Sequence, residues 1–275
     1  MRKLTLFFFL AGALTSYSQE KGKKITVLGQ ASLIANYTLT FKEDSLNFED
    51  VSKEDFLLFI GNDMSRFVGK TYYKILLELK SIKTKTEHKE WFNNFSSREI
   101  YFRYLNEFYK DFAKNKITSK EHCTAGTFIY EEELDLFDWK LTNINDTIAG
   151  YFAQQATADF GGRNWIAWFS PEIPINDGPY KFNGLPGLIV RIHDTRMHYH
   201  FELSTIEKPN EPVDIELSEH VNSFRTTKMM YFRAEDYARQ NIVSTVKAAG
   251  NGIEAQQHVA KKMAARNNPI ELKRK

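Results

Sequence analysis

The chain has 275 residues, 42% of them hydrophobic and 14% aromatic, with a formal net charge of +2. That is enough apolar surface to close a sizeable core, which excludes a disordered chain, and the balance lacks the concentrated basic face a nucleic-acid partner needs. A single cysteine, Cys123, excludes an internal disulfide, so packing has to hold the fold together.

Residues 1–18 read as a secretory signal. Arg2 and Lys3 open it, Leu4 to Leu14 form an apolar run too short to span a bilayer, and Ser16-Tyr17-Ser18 offers small residues at the cleavage positions before Gln19. Removing this segment takes away two basic residues and leaves 35 Lys+Arg against 35 Asp+Glu. Residues 19–275 are then expected to form one exported domain, periplasmic or envelope-associated, with no transmembrane segment in the mature chain.

The β-rich part is expected over about 25–206. "ANYTLTF" alternates Tyr37, Leu39 and Phe41 with Asn36, Thr38 and Thr40, as a half-buried strand does, and "FLLFIG" reads as a core strand. Ser96 and Glu99 form a capping-box pattern ahead of "IYFRYLNEFYKDF". There Tyr101, Tyr104, Leu105, Phe108 and Phe112 recur at helical spacing, which predicts an aromatic-rich helix around 97–113 within a helical insertion of about 87–115.

From 126 to 206 the period returns to two. Five strand candidates, "TFIYEEELDLFDWKL", "DTIAGYFAQQATADF", "RNWIAWFS", "GLIVRIHD" and "RMHYHFEL", suggest an antiparallel meander, with breaks at Asn143–Asp146, at Gly161-Gly162 and in a proline-rich loop. A short turn at Thr195-Arg196 would pair His193 with His198, Ile192 with Tyr199 and Val190 with Phe201. A helical C-terminal segment is expected over about 213–266, including "AEDYARQNIVSTVKAA" closed by Gly250. The fold class is therefore α+β: a curved, mainly antiparallel sheet, half-barrel-like, with helices.

Few residues carry chemistry. No catalytic residue is assigned and no cofactor is implied, since nucleophile-elbow, zinc-helix and phosphate-loop motifs are missing. His193, His198 and His200 are weak metal candidates on one hairpin, with solvated strand surface as the ordinary alternative. His122 beside Cys123 points to the opposite face of an extended segment, which favours an inert thiol. Gly161-Gly162-Arg163 is a β-turn before it is an anion corner. The loop from Pro171 to Gly187 holds prolines 171, 174, 179 and 186 and glycines 178, 184 and 187, so it is stiff; Tyr180 and Phe182 on it need cover from the protein or from a ligand and form a possible ligand rim. Pro186-Gly187 suits the centre of a type II turn that feeds Leu188 and Ile189 into a strand.

Arg163, Trp165, Trp168, Pro174, Gly178, Pro179 and the run Gly184-Leu185-Pro186-Gly187-Leu188-Ile189, with the late "NNPIEL", resemble the GLPGLI family of exported Gram-negative proteins. The resemblance runs from near Tyr37 to the terminal motif, with one departure: members often carry a cysteine after the Gly-Tyr pair, where this chain has Ala153. It implies an envelope role, with an outer-membrane (TonB-dependent) receptor or an apolar or peptide ligand as partner, and little about mechanism. The leading expectation is a non-catalytic binding or accessory protein. The alternatives are a hydrolase near the Pro171–Gly187 loop, using Asp177, Arg163 and His193, or a purely structural envelope protein.

Overall fold

A computed structural model describes residues 24–47, 49–97, 104–220, 222–248, 250 and 252–273. The secretory-signal segment and the Glu99 and Tyr101 positions of the expected capping box and stripe lie outside the described residues. Fourteen strands follow in chain order: β1 (Lys24–Ala31), β2 (Leu33–Lys42), β3 (Val51–Ile60), β4 (Met64–Gly69), β5 (Glu107–Asp111), β6 (Lys116–Cys123), β7 (Gly126–Glu133), β8 (Lys140–Ile148), β9 (Tyr151–Phe160), β10 (Arg163–Ser170), β11 (Leu188–Asp194), β12 (Tyr199–Glu207), β13 (Val213–Glu219) and β14 (Ser223–Arg225). Helices α1 (Lys70–Ser81) and α2 (Lys85–Ser97) interrupt the strands after β4, and α3 (Lys228–Ala248) and α4 (Ile253–Ala265) follow them. None of the described helices is long and apolar enough to cross a membrane.

Twelve strands form one sheet in the order β14-β7-β6-β5-β4-β3-β2-β12-β11-β10-β9-β8, and β1 pairs with β13 in a separate ribbon. All neighbours are antiparallel except β14 and β7, and the sheet is open, with β14 and β8 at its edges. The fold is the expected α+β class, and β9 to β12 follow the expected antiparallel meander; the first expected strand, over 127–141, instead supplies β7, which pairs with β6 and β14 toward the opposite end of the sheet, and the start of β8. In β2, Tyr37, Leu39 and Phe41 enter the main core while Thr38 and Thr40 stay half-buried, as the alternation requires. The unbroken run of β3 has another cause. Phe56, Leu58 and Ile60 join the main core, and Leu57 and Phe59 join a second core on the opposite face. There α1 brings Tyr72, Ile75 and Leu79 and β13 brings Ile215 and Leu217, so both faces of β3 are covered.

Four expectations are corrected. The described helix ends at Ser97, and the stretch predicted to continue it contains β5, which pairs Phe108 with Phe67 of β4 and Tyr109 with Thr118 of β6. Two partner strands satisfy its backbone, and that outweighs an aromatic spacing that also fits a helix. A capping box does exist at α2, between Thr84 and Glu87: Glu87 N donates to Thr84 Oγ1 (3.2 Å) and Thr84 N to Glu87 Oε2 (3.0 Å). Residues 213–225 are not helical but contain β13 and β14, so the C-terminal helices begin at Lys228. The break expected at Asn143–Asp146 is a register shift inside β8, and the chain instead leaves the sheet between Glu133 and Lys140 and turns at Ala149-Gly150. The β11–β12 register is offset by two: His193 faces His200, Ile192 faces Phe201 and Arg191 faces Glu202. An offset of two keeps Val190 and Ile192 on the core face and Arg191 and His193 on the other. The loop is longer because Asp194 accepts backbone N–H bonds from His198 (2.7 Å) and Tyr199 (2.9 Å).

Candidate functional site

The Pro171–Gly187 loop does not hang from the rim; it is packed into the main core. Asp177 through Asn183 are all buried, as are Leu185 and Gly187. Phe182 has no exposed surface and meets Trp165 at 4.6 Å between ring centroids, with Phe201 at 6.5 Å. Trp168, Leu188 and Ile189 lie in the same core, Pro179 is buried beneath the loop, and Pro174 and Pro186 face outward. Lys110 of β5 reaches in to pair with Asp177 and donates to the carbonyls of Gly178 (2.6 Å) and Phe182 (3.1 Å). Burial lowers the Lys110 pKa, and Asp177 opposes that shift.

Two glycines of the loop are set by space. A Cβ on Gly187 would lie 2.2 Å from the Ser170 carbonyl oxygen, and one on Gly178 would lie 2.8 Å from Ile189 Cβ. The turn at Pro186 is tighter than a type II turn. Gly187 N donates to Leu185 O (2.8 Å), and Leu188 N leaves the turn for Ile173 O (2.9 Å). Gly184 has φ +90° and faces the Trp139 ring, whose Nε1 donates to Asn183 O.

The C-terminal "NNPIEL" segment crosses the molecule as a strap. Asn267 Nδ2 donates to Asp44 Oδ1 (2.8 Å), and Asn268 Nδ2 donates to Lys42 O (2.7 Å) at the end of β2. Buried Arg163 grips its middle, donating to Asn268 Oδ1 (2.7 Å), Pro269 O (2.6 Å) and Ile270 O (2.9 Å), while its NH1 pairs with Asp194 (3.0 Å). Leu272 and Lys273 N then donate to Gly161 O. Gly161-Gly162 is thus a turn that leaves room for the strap: a Cβ on Gly162 would sit 2.9 Å from Lys273 Cγ.

Between the strap, the helical hairpin α3–α4 and the sheet lies a cleft of about 270 Å³. Phe41, Tyr104, Tyr180, Tyr199, Tyr231 and Phe232 give it an aromatic lining, and Glu121 of β6 and Glu271 of the strap give it acid groups. The groups at its floor form one network. Lys181 donates to Glu132 (2.6 Å), Glu271 (2.9 Å) and the Tyr130 hydroxyl (3.2 Å); Tyr180 Oη donates to Glu271 (2.6 Å); Lys228 binds Glu132 and Glu271. Glu121 takes a short hydrogen bond from Tyr130 and another from Asn106 Nδ2 (2.9 Å).

The two cleft carboxylates are tuned apart. Burial pushes Glu121 up to about 7, with Glu271 and Glu235 adding to the rise and Lys181 opposing it. Burial acts upward on Glu271 too, but Lys181 and Lys228 outweigh it and hold that group at about 2. Cys123 and His122 line the same cleft. Burial raises the Cys123 thiol and lowers His122 to about 3, so neither a thiolate nor an imidazolium is favoured there.

The other sequence candidates fall in separate places. His193 and His200 meet edge to face at 5.8 Å between rings, whereas His198 is buried against Arg163. Among the described residues no cluster of three or more His, Cys, Asp or Glu could hold a metal. Asp177 is paired with Lys110 and Arg163 with Asp194, while His193 sits half-buried on the hairpin, bonded to its neighbour's carbonyl, so the three do not share one hydrogen-bonded site. Of the two rim aromatics, Tyr180 lines the cleft and Phe182 fills the core. Sequence reasoning missed Glu121, Glu271, Lys181 and Tyr231. The available signal was Lys181 itself, a charge between two aromatics in a loop rich in proline and glycine.

The class this architecture defines is an open antiparallel α+β sheet with a core-packed loop and a C-terminal strap. Residues 162–191, which hold Gly162-Arg163 and the Pro171–Gly187 loop, match a family described as a protein of unknown function (Porph_ging). No curated protein is detectably similar to the chain. Solved structures of PNGF-II in P21 and C2 crystal forms are similar in fold, at 10% and 11% identity and a TM-score of 0.50 each, over 75% of this chain and 33% of theirs. The chain thus spans about a third of the length of those structures.

Proposed function

We propose that the chain is an exported, non-catalytic binding or accessory protein of the cell envelope, and that its ligand enters the cleft under the α3–α4 hairpin. The observation that carries this reading is the cleft itself: six aromatic side chains around a cavity of about 270 Å³. That is near the small end of ligand sites, and apolar walls with a few convergent polar groups are what such sites share. The hairpin has its own small core of Ile242, Val246 and Val259 and rests on the sheet through Tyr231 against Tyr130 and Phe128, so it can act as a cover. The charged groups of the floor are largely bonded to one another, as suits a wall. Export rests on the signal-like residues 1–18, and an outer-membrane receptor as docking partner rests on the family resemblance.

One observation favours a second reading, an acid–base hydrolase: Glu121, at about 7, and Glu271, at about 2, share a cleft. Native mass spectrometry of protein isolated from a periplasmic extract tests the binding reading. A co-purified small molecule that is lost in Ala238→Phe, a residue of the cleft wall, supports it. A clean apo mass, with a melting temperature unmoved by panels of lipids, peptides and amines, counts against it.

A further inference from the structure

We propose that the cleft takes a small organic monocation, an amine or guanidinium on an apolar or aromatic body, with its positive group against Glu121 and its body against the aromatic walls. The inference rests on the binding reading above and names the ligand class.

A charge count carries it. Three buried or nearly buried carboxylates, Glu121, Glu132 and Glu271, adjoin the cleft floor, and two ammonium groups, Lys181 and Lys228, serve them. Both ammoniums are bonded to Glu132 and Glu271, whereas the Glu121 oxygens are bonded only by neutral Tyr130 and Asn106. The surrounding groups do not change the balance. Glu43 pairs with Arg266 at 3.9 Å, Arg239 donates to the Arg266 carbonyl, and Glu235 and Arg239 on α3 offset one another in sign. His122 is held neutral and Cys123 stays a thiol. Among the described residues the pocket is therefore one cation short.

Burial with no cation in direct contact is also why Glu121 resists ionising, since the attraction of Lys181 only partly offsets it. The lining suits the same ligand. Tyr104, Tyr180, Tyr199 and Tyr231 present electron-rich rings, and ring faces attract cations most strongly where water is excluded. The protein already uses this contact at the floor, where Lys181 Nζ lies 5.3–5.6 Å from the ring centroids of Tyr130, Tyr180 and Phe108. A cation arriving at Glu121 displaces its proton to solvent, so binding and proton release are linked.

The test is isothermal titration of the full chain with benzylamine, benzyltrimethylammonium and the neutral benzyl alcohol, at pH 6 and pH 8.5. Both cations should bind more tightly than the alcohol at pH 8.5 and weaken about tenfold at pH 6, from linkage to one carboxyl group near 7. Benzyl alcohol should be insensitive to pH, and buffers of different ionisation heat should report proton release with benzylamine near pH 6. In Glu121→Gln the cation preference and the pH dependence should both vanish while alcohol binding survives. Should that variant not fold, the pH dependence of the unmodified protein decides alone. A blocked lysine amide, run in parallel, separates the two sources of the cation: a better fit than benzylamine assigns a partner's basic side chain, and a poorer fit assigns a free amine. Alcohol bound as tightly as the cations, or cation binding unchanged between the two pH values, overturns the proposal and leaves the binding reading standing. If none of the probes binds and no molecule co-purifies, both fall.

Discussion

Arg163→Lys tests whether the strap is held as the geometry indicates. The guanidinium makes three bonds to the strap, to Asn268 Oδ1, Pro269 O and Ile270 O, and one to Asp194. A lysine keeps the charge next to Asp194, so the buried carboxylate is not stranded, but an ammonium cannot reproduce the planar fork. At least two of the three strap bonds are lost, and bonds from charged donors contribute roughly 1.5–3 kcal/mol each, so the expected loss is about 3–6 kcal/mol. Urea unfolding should show it as a lower midpoint with an unchanged slope. The decisive measurement repeats the substitution in a chain ending at Arg266, which lacks the strap. There Arg163→Lys should cost only about 1 kcal/mol, because the bonds it breaks no longer exist. If the cost is the same in both backgrounds, within about 0.5 kcal/mol, Arg163 does not act through the strap and the reasoning fails.

Three further outcomes are expected. Gly187→Ala should lower stability by about 4 kcal/mol or more and cut the yield of folded protein, because its Cβ meets backbone at Ser170; Gly150→Ala, with φ +86° and nothing within 4 Å, should cost only about 1–2 kcal/mol, and equal melting shifts would refute the steric account. Lys110→Met should cost about 3–5 kcal/mol by stranding Asp177, with much of it recovered in Lys110→Met/Asp177→Asn; a double variant as unstable as the single one would contradict this. The Glu121 carboxyl, raised from 4.5 to about 7, contributes stability that is fully present below pH 4.5 and lost as pH rises through 7. Denaturation of the native chain and of Glu121→Gln at pH 4.5 and 8.5 should therefore show the native chain losing about 3 kcal/mol relative to the variant, whereas a difference independent of pH speaks against the buried, cation-free carboxylate.

How much could be read from the residues alone varies along the chain. β2 was legible because one face meets the core and the other meets water, which prints an alternation of period two. β9 to β12 were legible from their apolar positions and from the Gly161-Gly162 turn and proline-rich loop that separate them, whereas β7 and β8 read as one strand. β5 was not legible, because each of Glu107, Phe108, Tyr109 and Lys110 is buried and its two buried charges are neutralised from elsewhere in the fold, by Arg66 and Lys120 of neighbouring strands and by Asp177 of the loop. A strand with no wet face leaves no period to read, and its aromatics then fit helical spacing. β13 kept its alternation in Val213, Ile215 and Leu217, but its partner β1 lies almost two hundred residues earlier.

The sequence by itself determined the fold class, the meander from β9 to β12, and the stiffness of the Pro171–Gly187 loop, since these depend on backbone preferences and local periodicity. Tertiary structure alone decided where the loop goes and what the charges do. Lys181 meets Glu271 across 90 positions and Arg163 meets Asn268 across 105, and only that meeting makes the strap, the cleft and the carboxylate without a cation. An isolated Lys or Glu in a sequence reads as solvated, because the cost of burying it is offset only by a partner that folding brings into contact.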